Sequence, residues 1–377
     1  MADFNKFAKE NEESGKCFKV GIVGCGGIAN GKHLPALAKL AAVGKVEVVY
    51  FCDIILERAE QAAAKFGAEG AKVTADYKEL VACKDVDVVH VCTPNRSHSE
   101  ISCAALRAGK DVLCEKPMAI NAAEAKAMVE AAKESGRTLS IGYQNRYRAD
   151  SQYVKAEAED GFFGDIYYAR AYAIRRRAVP TWGVFLNEYE QGGGPLIDIG
   201  THALDLTLWT MDNYKPKYCV GTTYHKLNNQ TNTGNAWGDW DPEKFTVEDS
   251  AFGFIVMENG ATISLESSWA LNTHESCEAS FAVCGDQGGA DMRGGLTLNT
   301  IKHGKQINIK PMLDAKGVAF YDGKSEKPNE VEARQFYEAL EKGTTPCVTP
   351  EQAYVVSQIL EGIYISAKTG EPYYFNK

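Results

Sequence analysis

From Phe18 onward, short apolar runs alternate with segments of helical spacing. FKVGIVG, VEVVYFC, VDVVHVC, KDVLCE and RTLSIGY are the runs; HLPALAKLAAV, ILERAEQAAAKF, HSEISCAALRAG and NAAEAKAMVEAAKESG lie between them. β-Branched runs suit buried strands, and apolar residues three and four apart suit amphipathic helices. The alternation predicts βαβ units with right-handed crossovers and a parallel sheet, continuing to about Tyr143.

Beyond Tyr143 the period changes. A helix is predicted over 149–159, then a long strand in IYYARAYAIRR. FTVEDSAFGFIVMENGATISLESSWAL reads as two strands joined through Asn259-Gly260, a strong hairpin signal. LTLNTIKHGKQINIK reads as a second hairpin turning at Gly304. Helices near VEARQFYEALEKG and EQAYVVSQILEGIYISAK close the chain, with Pro350 at a common helix-start position. The expected organisation is a polar extension over 1–17, an α/β Rossmann domain (a doubly wound parallel sheet) over 18–143, and an α+β domain with an open, largely antiparallel sheet over 144–377.

Composition narrows the functional classes. The net charge of −9 repels a phosphate backbone, so nucleic acid is not an expected partner. No window carries the ~18 uninterrupted apolar residues of a membrane span, and the opening MADFNKFAKENEESGK has no apolar core of a secretory signal. The 11 cysteines are odd in number and include no CxxC pair, against a disulfide framework or structural zinc. Cys52, Cys92 and Cys114 fall in apolar runs and read as buried thiols in a reducing cytoplasm.

Gly24-Cys25-Gly26-Gly27-Ile28-Ala29 fits the GxGxxG/A fingerprint directly after a predicted strand and at a helix start. Gly24 permits the tight turn, Gly26 lets the backbone approach a pyrophosphate, and Ala29 lets helix and strand pack closely. Gly27 and Ile28 complete the turn, where helix N–H groups face the phosphates. Asp53 ends the second strand, placed to accept bonds from ribose hydroxyls and to repel a 2′-phosphate. NAD is therefore favoured over NADP, although the interval from Gly24 exceeds the usual ~20 residues and Arg58 lies one turn on. Thr93-Pro94-Asn95 closes another strand at the edge where such sheets bind ligands.

Three motifs in order, VGIVGCGGIA, CTPNRSHSEISCAALRAGKDVLCEKPMA and GGGPLIDIGTHALDL, resemble the glucose–fructose oxidoreductase / inositol dehydrogenase / rhizopine catabolism (Gfo/Idh/MocA) family. The resemblance implies a Rossmann domain followed by an α+β domain whose open sheet often mediates oligomers, so a homodimer or homotetramer is expected. It also implies catalytic roles for Lys116 of Glu115-Lys116-Pro117, for Asp198 and for His202. Glu115 and Lys116 lie at the rim of the cofactor cleft, and Pro117 would fix the loop, with a cis bond as one possibility. Asp198 and His202 are four residues apart and share a face if helical. In the implied reaction His202 takes a hydroxyl proton, a hydride passes to nicotinamide, Lys116 stabilises the developing alkoxide, and Asp198 holds the substrate. Asp205 is read as support for the helix, and no metal is expected.

Further substrate contacts are expected at Asn145 and Arg146, in the segment after the last Rossmann strand, and at Arg175, Arg177 and Trp182 before GGGP. The run Arg175-Arg176-Arg177 reads first as a solvated strand or subunit contact, and otherwise as recognition of an anionic or hydroxyl-rich ligand. His98 reads as helix-start packing; His33, His90, His225, His274 and His303 read as structural. A sugar, polyol or glycoside dehydrogenase, with C3 of a pyranose as one target, is the leading function. A redox-neutral enzyme with tightly held NAD and a non-catalytic NAD sensor are the alternatives.

Overall fold

The computed structural model describes residues 16–230, 233–313 and 326–376; most of the extension expected over 1–17 lies outside the described residues. Six short strands form the first sheet: β1 (Phe18–Val23), β2 (Val46–Cys52), β3 (Lys72–Thr74), β4 (Val88–Val91), β5 (Asp111–Cys114) and β6 (Leu139–Ile141). Their order is β3-β2-β1-β4-β5-β6, all parallel. Strand β4 is buried at every position and β1 at all but Lys19, which is why these runs lack polar alternation. The order reverses between β1 and β4, and that switch opens a crevice beyond their carboxyl ends.

Helices α1 (Leu34–Ala41), α2 (Leu56–Phe66), α3 (Tyr77–Ala82), α4 (His98–Arg107) and α5 (Ala122–Ser135) cover the sheet. A π-helical turn, Ala29–His33, precedes α1. Local chemistry sets several ends: Asn121 accepts from Glu124 N to start α5, and Gly136, at φ +63°, ends it.

The second part begins with α6 (Ala149–Glu159) and β7 (Ile166–Ile174), then α7 (Glu188–Gln191), a π-helical turn (Leu196–Gly200) and α8 (Thr201–Met211). Strands β8 (Pro216–Tyr224), β9 (Ser250–Met257), β10 (Thr262–Ser268), β11 (Cys277–Gly285), β12 (Gly288–Asp291), β13 (Thr297–Lys302) and β14 (Lys305–Ile309) follow. Helices α9 (Pro328–Lys342) and α10 (Pro350–Thr369) and a short β15 (Tyr373–Tyr374) end the chain. The nine-stranded sheet runs β14-β13-β12-β11-β7-β10-β9-β8-β15, antiparallel except between β10 and β7. Both hairpins form as expected, at Gly260 (φ +88°) and at His303-Gly304 (φ +53° and +70°). Strand β8 and the β11–β12 pair carried no clear signal in the sequence.

Helices α8 and α10 pack on one face of this sheet, against Ala169, Ala171, Leu265 and Ile255. The other face presents Tyr218, Val220, Phe252, Phe254 and Val256, with Phe254 42% exposed. The linear division at residue 143 does not divide the core. Helix α9 returns to the first sheet, where Ala333, Phe336 and Tyr337 pack with Val20, Ile22 and Leu37.

Arg146 is a correction to the expected substrate contacts. It is fully buried, with Nε and Nη2 on the two oxygens of Asp205 at 2.9 and 2.6 Å and Nη1 on Cys347 O and Gln352 Oε1. Its guanidinium ties the segment after β6 to α8, to the loop before α10 and to α10 itself, and no face is left for a ligand. Asp205, read as support for its helix, is the buried counter-ion of this guanidinium. Arg146→Ala strands a buried carboxylate and is expected to cost about 3–5 kcal/mol of stability. Urea unfolding would measure this, and a loss under ~1 kcal/mol would refute the role.

Candidate active site

The fingerprint turn is built around Gly24. Its φ is +92°, and a Cβ there would fall 2.6 Å from the backbone of Cys92. Only glycine allows β1 and β4 to approach so closely at the switch point. At Gly26 and Gly27 an added Cβ meets nothing within 4 Å, so this backbone borders open space. Ala29 is fully buried, as close helix–strand packing requires, and Ile28 packs against the same core. Asp53 closes the turn: Oδ2 accepts from Cys25 N at 2.9 Å and Oδ1 from Ile55 N at 2.8 Å. Ile54 beyond it is 90% exposed.

On the other side of the switch, Thr93 Oγ1 is buried without a partner. A buried hydroxyl is seldom left so, and a ligand in the crevice would satisfy it. Open space above Gly26 and this orphan hydroxyl together fit a dinucleotide. Pro94 is exposed, and Asn95 donates to Gln191 O at 3.0 Å across the domain boundary. His98 clamps two loops, with Nδ1 2.7 Å from Pro117 O and Nε2 2.9 Å from Thr93 O; this is the packing role expected.

Lys116 follows β5 through Glu115, and its bond to Pro117 is cis. Glu115 Oε1 lies 2.9 Å from His33 Nε2 and Oε2 accepts from Lys116 N at 3.1 Å, so both oxygens brace the loop. Burial pushes this carboxyl up, but His33, Lys32 and Lys116 outweigh it and hold it down at about 2. His33 Nδ1 in turn meets His90 Nδ1 at 2.9 Å, and His90 Nε2 meets Tyr337 OH at 2.8 Å. This buried chain has no signature in the sequence, because its members come from four separate elements.

Asp198 lies on the π-turn and His202 on α8 just after it. Lys116 Nζ donates to Asp198 Oδ1 at 2.9 Å and to its carbonyl at 2.7 Å. Asp198 Oδ2 accepts from Trp269 Nε1 at 3.0 Å and lies 3.9 Å from Arg175 Nη1. Burial raises its pKa, but Lys116 and Arg175 prevail and hold the carboxylate ionised. His202 is 8% exposed and its Nδ1 has no partner. Burial, then the charge of Lys116, push its pKa down to about 3, against Asp198. The ring is therefore neutral at neutral pH, with Nδ1 unpartnered. Lys116 has three N–H donors, of which Asp198 takes two, leaving one for a substrate oxygen.

Trp269 and Glu248 are functional residues that the sequence reading missed. Glu248 is 3% exposed; its oxygens accept from Gly194 N, Leu196 N and Tyr364 OH, at 2.8, 3.2 and 2.7 Å. It thereby anchors the start of the segment that carries Asp198. The glycines of GGGP serve the same packing: a Cβ on Gly194 would lie 2.2 Å from Glu248 O, and one on Gly193 2.1 Å from Tyr364 Oη. Asn145 is half-buried, and its amide makes no hydrogen bond among the described residues. Arg175 is bidentate to Glu278, Arg177 bonds Asn272, and Trp182 is 50% exposed. No metal-ligating cluster occurs among the described residues.

A dinucleotide crevice facing a lysine, a carboxylate and a neutral histidine defines an oxidoreductase rather than a carrier of nucleotide alone. The chain belongs to the Gfo/Idh/MocA oxidoreductase family: the family's NAD-binding Rossmann-fold model matches residues 18–143 and its C-terminal domain model residues 151–291. It is 34% identical to a D-glucoside 3-dehydrogenase of Escherichia coli over 352 residues, covering 93% of this chain and 96% of the relative. Among solved structures, an oxidoreductase domain protein from Kribbella flavida matches with a TM-score of 0.83 at 21% identity, over 96% of this chain and all of that one. A levoglucosan dehydrogenase in complex with NADH and levoglucosan matches at 0.80, also at 21% identity and with the same coverage.

The two glycines separate fold from cofactor. Gly26→Ala is expected to leave the melting temperature within about 2 °C, because the added methyl meets only open space, while weakening NAD binding at least about tenfold. Calorimetric titration with NAD and a thermal melt check both halves; unchanged NAD affinity would remove Gly26 from the cofactor site.

Proposed function

We propose that this chain oxidises a secondary ring hydroxyl of a sugar, polyol or glycoside, with C3 of a pyranose as the favoured position. The observation that carries this reading is the junction of Lys116, Asp198 and a neutral His202 at the mouth of the dinucleotide crevice. The substrate class draws support from the name of the E. coli relative, which spans nearly the whole chain.

The residues divide the work. His202 accepts the hydroxyl proton, and the free N–H of Lys116 holds the same oxygen as negative charge develops. Asp198 fixes the Lys116 ammonium with two acceptors and stays ionised throughout. When bound, the nicotinamide supplies a hydride acceptor. Gly24, Gly26, Gly27 and Ile28 would shape the pyrophosphate turn, Thr93, Pro94 and Asn95 would line the opposite wall, and Asp53 would favour NAD over NADP at the ribose. Asn145 and Arg177 offer polar contacts to the substrate. The exposed aromatic face of the nine-stranded sheet supports a homo-oligomer, a dimer or tetramer, because large apolar patches rarely face water.

Purified protein with NAD and a panel of glucosides, free hexoses and inositols should produce NADH, read at 340 nm. His202→Ala should lower kcat/KM by about 10²–10⁴. Absence of NADH with every sugar, while NAD stays bound and a glycoside is cleaved, would replace this reading with a redox-neutral one. The acid limb offers a second check. His202 with a pKa near 3 is already deprotonated at neutral pH, so its protonation should not reduce kcat/KM until roughly pH 5 or below. An acid limb centred near the usual histidine value of ~6.5, absent in His202→Asn, would contradict the depressed pKa.

A further inference from the structure

Two tryptophans stand exposed beside the site, and their placement deepens the reading above, on which this inference rests. Trp182 is 50% and Trp237 44% exposed. Their rings meet edge to face, centroids 4.9 Å apart at 84°, and Phe185 lies 5.8 Å from Trp182. The guanidinium of Arg175 sits 5.4 Å from the centre of the Trp237 ring, and its Nη1 lies 3.9 Å from Asp198 Oδ2. Asp198, Arg175, Trp237 and Trp182 thus form a continuous chain of contacts that starts at the carboxylate paired with Lys116.

The platform is built rather than frayed. Asn235 grips Val179 at both backbone groups, accepting from N at 2.8 Å and donating to O at 2.9 Å. Ala236 N donates to Arg177 O at 2.9 Å, and Thr181 Oγ1 to Trp237 O at 2.8 Å. Ala178 N donates to the carbonyl of Trp269, whose indole holds Asp198. The two loops are stitched to each other and to the site. In the same segment Arg177 Nη1 is buried without a partner, a donor that a ligand hydroxyl would satisfy.

We propose that Trp237 and Trp182 form a second subsite that binds the aglycone of a glycoside, the group linked beyond the oxidised sugar. Perpendicular rings make a corner, which receives the face of one aromatic or sugar ring against one indole and its edge against the other. A free hexose or an inositol held at Lys116 and His202 ends before this corner. The subsite therefore selects glycosides without taking part in the chemistry.

The test compares 4-nitrophenyl glucosides of both anomers with free glucose, using NAD-loaded enzyme. Trp237→Ala is expected to raise KM for the nitrophenyl substrates on the order of tenfold, with kcat/KM for glucose changed less than about twofold. Trp237→Phe should retain much of the affinity, and Trp182→Ala provides a second exposed position where folding is not at stake. Equal losses with glucose and the nitrophenyl glucosides, or no loss with either, would overturn the subsite. If the wild type oxidises none of these compounds, the functional reading fails but the subsite is still decided. Calorimetric binding of 4-nitrophenyl glucoside to the NAD-loaded protein, lost in Trp237→Ala, supports it; absence of binding to wild type overturns it.

Discussion

The ammonium of Lys116 crosses from the first sheet to the carboxylate and carbonyl of Asp198 in the second part of the chain, and that contact bears on the charge of both Asp198 and His202. Both side chains are largely removed from water, 18% and 13% exposed. An ion pair so placed is costly unless its remaining valences are filled. On the carboxylate they are, since Trp269 donates to its second oxygen and Arg175 lies close behind; the ammonium keeps one N–H unfilled. The same ammonium, with burial, keeps His202 neutral, while Asp198 alone would do the opposite. The pair thus holds a carboxylate ionised and a lysine directed, and with burial it leaves the histidine neutral.

Holding that contact requires unusual backbone on both sides. Each partner domain places a π-helical turn at the crevice: Ala29–His33 after the fingerprint and Leu196–Gly200 at Asp198. Such turns widen a helix by one residue and recur at functional sites. The first sets His33 against Glu115, which braces the loop bearing Lys116. The second sets Asp198 toward that lysine, and Glu248 fixes its start through Gly194 N and Leu196 N. The glycines before it leave no room for a side chain against Glu248 and Tyr364, so the packing requirement and the catalytic requirement fall on the same residues.

What the sequence disclosed follows the range of each interaction. Gly24 was legible because its fingerprint's spacing encodes a turn, and Asp53 from its place at the end of the second strand; Lys116, Asp198 and His202 were singled out through the resemblance of their motifs to a known family. The alternation of strand and helix through Tyr143 was legible because burial on both faces is a local property of a run. Arg146 was misplaced because its partners, Asp205, Cys347 and Gln352, are far away in the chain and convert a polar loop residue into a buried tie. Trp269, Glu248 and Trp237 went unseen because a lone tryptophan or glutamate carries no spacing signal; their roles exist only once β10 and the loop before β9 fold against the π-turn. Helix α9 was foreseen as a helix but not as part of the first core, since its amphipathic pattern does not name the face it will meet.

The two parts are also tied to each other directly. Asn95 bonds Gln191 O, Arg96 bonds Tyr189 O, Asn329 bonds Lys32 O, and Lys39 pairs with Glu330 at 2.6 Å. With α9 packed in the first core, wide opening of the crevice would break apolar packing as well as these polar contacts. The frame around Lys116, Asp198 and His202 is thus tied from both parts of the chain, as the proposed oxidation of a hydroxyl would require. The loops at Arg177–Trp182 and Asn235–Trp237 border this frame and are hydrogen-bonded to each other without belonging to it. The same overall fold at 21% identity to the Kribbella flavida protein shows how far side chains can diverge while the frame persists.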